Sequence, residues 1–218
     1  MLDTRFPRLL GDIGNPRTFD FAVRYEVVRG ASPQRVVRER DPLLLQPFIA
    51  AGHSLVRDGA TAITTSCGFL VLFQQALQEA LTVPVWTSSL LLLPQFQASL
   101  PSGRAVGVVT VDAAALGAAH LSAAGADAAT PVEGLAPGCA FQRCLLNNEE
   151  SFDAGAAEQA TVAAALRLVE RRPDVAAIVF ECTNMPPYAQ AVRAATGRAV
   201  HDITTLISGR FRPALRAQ

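Results

Sequence analysis

One device occurs twice in this chain, and its repetition limits the fold more than any other feature. Thr64-Thr65-Ser66-Cys67-Gly68-Phe69 and Phe180-Glu181-Cys182-Thr183-Asn184-Met185 each follow a short apolar run, Ala60 to Ile63 and Val175 to Phe180. Runs of that length read as buried strands, and a helical pattern follows each cysteine. A shift of 115 positions lays Ala62, Ile63 and Cys67 on Ala177, Ile178 and Cys182, and Val83 to Thr87 on Arg198 to Asp202. The shared order of strand, cysteine turn, helix and second short strand reads as a duplicated half with one cysteine per copy.

The rest of the chain fits strands alternating with helices, hence parallel sheets with right-handed crossovers. Residues Arg5 to Ala31 are rich in glycine and proline, and a long loop of this kind is a candidate cover for a site. Phe21 to Val28 alternates as a half-exposed strand would. Asp41-Pro42 opens a helix through Arg57, and a second helix is expected from Phe69 to Leu81. Arg104 to Thr110 is the clearest buried strand; Ala154 to Arg171 is a long helix, Val200 to Ile203 a last short strand and Thr204 to Arg212 a closing helix. Only Met1-Leu2 before Asp3 stands where the second copy has the full run Val106 to Val111 before Asp112. The first copy is therefore expected to be one strand short or ragged at that edge.

The formal net charge is zero, without the basic surplus that nucleic acid or anionic lipid calls for. All 19 basic residues are arginine. Without lysine there is neither a Schiff base for pyridoxal phosphate nor a Walker P-loop, so any carbanion chemistry must manage without pyridoxal phosphate. Met1 to Leu10 has no apolar core of signal-peptide length, and Leu90 to Leu93 is too short to span a bilayer. The reading is a protein without membrane or nucleic-acid partners, with reduced thiols in the cytoplasm. Cys139 and Cys144, in a loop bordered by glycine and proline, are too few ligands for structural zinc, and no metal site is expected.

Both repeated cysteines are placed where a strand ends and a helix begins. Free amides and the helix dipole favour a thiolate there and can hold a carboxylate. Facing across a cleft, one thiolate and one thiol could remove a proton from one face of a carbon and return one to the other. The carbon would lie next to a carboxylate, with enediolate charge held by the amides after each cysteine (Gly68 among them), the hydroxyls of Thr64, Thr65, Ser66 and Thr183, and the amide of Asn184. His201 beside Asp202 is a further candidate, either orienting a substrate or completing a Cys-His-Asp hydrolase with Cys182.

With its paired cysteine turns and no lysine, the chain resembles the aspartate/glutamate racemase superfamily, which includes hydantoin racemases, maleate isomerases and arylmalonate decarboxylases. It departs from the amino-acid racemases in having Gly68-Phe69 and Thr183-Asn184 where they carry Asn-Thr and Thr-Glu. The resemblance implies two pseudo-symmetric α/β lobes, each a short parallel sheet flanked by helices, with the active site in the cleft between them. Residues 1–98 plus 199–218 would form the first lobe and 99–198 the second. It also implies Cys67 and Cys182 as opposed acid and base, Asp3 near the site and a homodimer. The expected activity is a cofactor-independent isomerase of the amino-acid racemase type, acting on a small carboxylate-bearing substrate in amino acid metabolism. The alternatives are a related decarboxylase, lyase or cis-trans isomerase, or a carboxylate-binding protein without turnover.

Overall fold

The computed structural model describes residues 1–216, with side chains through residue 211. The first half contains α1 (Leu45–Arg57), β1 (Ile63–Thr64), α2 (Gln74–Ala80), β2 (Val85–Trp86) and α3 (Leu93–Ser99). The second contains β3 (Ala105–Thr110), α4 (Ala118–Ala123), β4 (Val132–Gly134), α5 (Ala140–Asn147), α6 (Ala154–Arg171), β5 (Val175–Phe180), α7 (Ala189–Thr196), β6 (Ala199–His201) and α8 (Ile203–Arg216). The result is an α/β fold with two parallel sheets, β1-β2 and β4-β3-β5-β6, flanked by helices.

The duplicated halves superpose in register. Ile63 pairs with Val85, and 115 positions on Ile178 pairs with Val200. β3 and β5 are apolar almost throughout because both of their faces are covered. α6, capped by Asp153, packs against them through Ala157, Ala164, Ala165 and Leu168. It lies so close that a Cβ at Gly107 would stand 2.8 Å from Leu168 Cδ2.

The halves differ at their free edges. β5 has β3 on the side away from β6, whereas β1 has no strand on the side away from β2 among the described residues. A cavity of about 230 Å³, lined by Phe21, Tyr25, Trp86 and Phe211 among others, borders residues 60–66 of this half. Phe21 to Val28 forms no strand: its backbone meets residue 1 only at Glu26 and Val28. The expected lobe boundary at 198/199 falls inside a sheet, because β6 pairs with β5. The segment behind it still reaches back to the first half, where His201 stacks on Phe96 and Ile203, Leu206 and Ile207 pack with Ile13 and Leu92.

Two local expectations are corrected. The helix after Cys67 starts as a 3-10 turn, Gly68–Phe73, and becomes α-helical only at Gln74. Cys139 caps α5 and Cys144 is buried within it, so neither lies in an open loop. Among the described residues no helix is long and apolar enough to cross a membrane.

Candidate active site

The two cysteine turns meet. The Thr183 hydroxyl donates to the Ser66 carbonyl at 2.8 Å, tying one turn to the other. Gly68 makes the close approach possible, since a Cβ there would lie 2.4 Å from both the carbonyl oxygen and Oε1 of Glu181. Between the turns is a cavity of about 30 Å³ lined by Ser66, Cys67, Glu181, Cys182, Thr183 and Asn184. Leu2 and Phe6 of the N-terminal segment and Leu145 and Leu146 of α5 line it as well. The volume suits one or two waters.

Both thiols are pushed up, not down. Burial is the largest cause at Cys67 and the charge of Glu181 the next; the Phe69 and Leu70 amides and Arg8 pull the other way. Cys182 is raised by burial and then by Glu181, against the amide of Asn184. The expected lowering by a helix N-terminus therefore loses to desolvation. A six-residue 3-10 turn supplies only two opposing amides to Cys67.

A polar chain supports the second turn. Cys182 Sγ donates to Asn184 Oδ1 at 3.6 Å, and Asn184 Nδ2 donates to Asp12 Oδ2 at 2.5 Å. Arg8 Nη1 and the Gly14 amide bind Asp12 Oδ1 at 3.2 and 2.6 Å. Burial raises Asp12, opposed first by Arg8. Because the Asn184 amide nitrogen faces a carboxylate, its oxygen faces Cys182, which is thereby held as a thiol donor.

The candidate residues divide. Cys67, Cys182, Ser66, Gly68, Thr183 and Asn184 line the cavity; Asp3, Thr64, Thr65 and His201 do not. Thr64 and Thr65 give their single hydroxyl hydrogens to the carbonyls of Trp86 and Thr87, at 2.8 and 2.6 Å, and so hold β1 to β2. Asp3 accepts from the Gly30 amide, and His201 stacks on Phe96 with centroids 3.9 Å apart. His201 neither lines the thiol cavity nor bonds Cys182, whose hydrogen goes to Asn184, which speaks against the hydrolase arrangement. Among the described residues no cluster of three or more His, Cys, Asp or Glu is placed to hold a metal ion.

Three site residues escaped the sequence reading. Glu181 is 1% exposed and accepts the Thr110 hydroxyl on Oε2 at 2.6 Å. An acid directly before Cys182, at the end of an apolar run, was the signal for it. Asp12 and Arg8 belong to the segment read only as turn chemistry, and nothing local in the sequence ties them to Cys182.

No protein-family model matches the chain. A dimethylsulfoniopropionate lyase from Durusdinium sp. clade D is 31% identical over 209 residues, covering 92% of this chain and 69% of the relative. Dimethylsulfoniopropionate lyase 7 of Emiliania huxleyi is also 31% identical, and the chain spans 62% of its length. Among solved structures, an arylmalonate decarboxylase variant matches with TM-score 0.59 at 16% identity, over 90% of this chain and 82% of that one. An Asp/Glu racemase homologue from Yersinia pestis matches with TM-score 0.59 at 14% identity, over 94% and 87%. The fold is that of the aspartate/glutamate racemase superfamily, as the sequence resemblance implied. The activity expected from that resemblance is corrected: the sequence relatives are named lyases, which replaces the isomerase, the racemase and the place in amino acid metabolism. At 31% identity along nearly all of its length, the chain belongs to the dimethylsulfoniopropionate lyase family.

Proposed function

We propose that this chain is a lyase acting on a small sulfonium carboxylate of the kind its relatives are named for, by elimination. Cys67 as thiolate takes the proton from the carbon next to the carboxylate. The electron pair left behind forms the carbon–carbon double bond, the carbon–sulfur bond breaks, and dimethyl sulfide and acrylate leave. The proton remains on Cys67 until it is lost to solvent. Because dimethyl sulfide leaves as a neutral molecule, the reaction needs one base and no acid on the leaving group.

The observation that carries this reading is the asymmetry of the thiols. Cys182 commits its hydrogen to Asn184, while Cys67 faces two amides and the field of Arg8. Cys67 is therefore the base, and Cys182 a neutral thiol that stays protonated beside the substrate. The substrate cation supplies the missing activation, since a positive charge beside a buried thiol favours the thiolate. Ser66 and the amides that follow each cysteine are the donors assigned to the carboxylate.

The test is headspace detection of dimethyl sulfide, with proton NMR of acrylate, for the wild type, Cys67→Ser and Cys182→Ser. Wild type is expected to release both products in equal amounts. Cys67→Ser should lose about a thousandfold or more, the ordinary scale of a lost general base, and Cys182→Ser, which keeps a hydrogen for Asn184, roughly tenfold or less. Absence of sulfide release from wild type, or full release by Cys67→Ser, would refute the assignment.

A further inference from the structure

Glu181 lies against both cysteine turns and, among the described residues, has no counter-ion. Its main chain leads directly into Cys182, and Oε1 lies where a Cβ on Gly68, the neighbour of Cys67, would be. Oε2 is held by the Thr110 hydroxyl of β3, while Oε1 has no hydrogen-bond partner and the residue is almost fully buried. Among the described residues no arginine or histidine forms an ion pair with it, and Arg8, whose charge acts on Cys67, is paired with Asp12. A buried carboxyl of this kind is costly, and an apolar side chain would fill the space more cheaply. Its position is what distinguishes it: it is the one acidic residue lining the thiol cavity.

We propose that Glu181 is a positioning residue that sets the protonation of Cys67, the two groups holding a single negative charge that sits on the carboxylate in the resting site and on the thiolate when Glu181 is protonated. The proton moves between Glu181 and Cys67 and is exchanged with solvent, so no other reactant is needed. Burial pushes Glu181 up to about 7, with the Thr110 hydroxyl and then the Phe69 amide opposing, so its proton is exchangeable near neutral pH. Its charge is also the largest cause after burial of the upward shift of both thiols. The groups around it are Cys67 and the Phe69 amide on the first turn, Thr110 on β3, Ser88 ahead of α3, and Cys182 on its own turn. Arg8 and Asp12 act on the thiols from the N-terminal segment. The inference concerns the thiol itself and stands apart from the identity of the substrate.

The test follows the ultraviolet absorbance of thiolate against pH for the wild type, E181Q and T110V, each corrected by the matching variant that also carries Cys67→Ser. E181Q removes the charge and keeps the shape; T110V removes the donor that favours ionised Glu181. Both are expected to move the Cys67 midpoint down, E181Q by about one pH unit or more, which is tenfold more thiolate at a given pH, and T110V by less. A purely structural role would lower the melting temperature and leave the midpoint in place. A midpoint unchanged or raised in folded E181Q overturns the proposal, and if E181Q does not fold, an unchanged midpoint in T110V does so. Neither result depends on sulfide release, so failure of the lyase assignment would be seen separately.

Discussion

The turn at Cys67 and the turn at Cys182 share a backbone plan and differ in what surrounds it. Both follow a parallel strand, and the strand pairs behind them keep one register across the duplication. In the first turn the cysteine is followed by Gly68 and Phe69, whose ring meets the edge of His120 from α4 at 5.1 Å. In the second, Thr183 and Asn184 occupy those places, tied to Ser66 and Asp12. Each turn is thus supported by the other half of the chain, the first by an aromatic contact and the second by a charged network. A symmetric scaffold carries an asymmetric pair: one thiol beside two backbone amides, one with its hydrogen on a side-chain amide oxygen. That suits removing a proton in one direction better than passing it between two faces.

The comparison breaks most severely at Gly68. G68A places a methyl group 2.4 Å from the Glu181 carbonyl, which cannot move without shifting β5. About 3 kcal/mol or more should be lost in urea unfolding, with loss of activity. Wild-type stability for G68A would mean that the turns are not packed as described. A smaller effect is expected at the equivalent positions 69 and 184. N184L strands a buried Asp12 oxygen and removes the acceptor of Cys182, at a cost of roughly 2 kcal/mol, whereas F69L should cost only about 1 kcal/mol as an apolar exchange. Equal costs would erase the claimed difference between an aromatic and a polar support.

What the sequence carried, and what it withheld, follows the range of the interactions. The duplication, the positions of Cys67 and Cys182 and the alternation of strand and helix are local patterns, and they were legible. The missing neighbour of β1 was visible in part, as a first copy with only Met1-Leu2 before Asp3. The support of Cys182 by Asp12 was not, because 170 residues separate Asp12 from Cys182 and the contact exists only once the N-terminal loop folds over the turn. The hydroxyls were misjudged for a related reason: Thr64 and Thr65 have the chemistry to bind a carboxylate, but neighbouring carbonyls claim their hydrogens first. Thiol acidity was misjudged because the dipole of a helix can be read from sequence while the dryness of the site cannot.

The smallest expected effect separates the two supports by pH. His120 is fully buried, its Nδ1 accepts the Gly117 amide at 3.3 Å, and burial first and then Arg40 lower it to about 4. The unfolded imidazole titrates near 6.5, so between these values the unfolded chain binds more protons and stability rises with pH. This contribution is fully present above about pH 6.5 and is lost as pH falls toward 4, amounting to about 1 kcal/mol between roughly pH 7 and 5.5. Glu181 has the opposite sign in an overlapping window. Its folded value is raised to about 7, so its contribution is fully present below the unfolded value and fades as pH rises through 7. The two contributions slope in opposite directions between these pH values. Against wild type, H120Q, which keeps an acceptor for Gly117, should tilt the profile toward stability falling as pH rises; E181Q should tilt it the other way. Urea midpoints across this range decide the matter, and two variants tilting in the same direction would show that His120 and Glu181 do not carry the opposed pH dependences assigned to them.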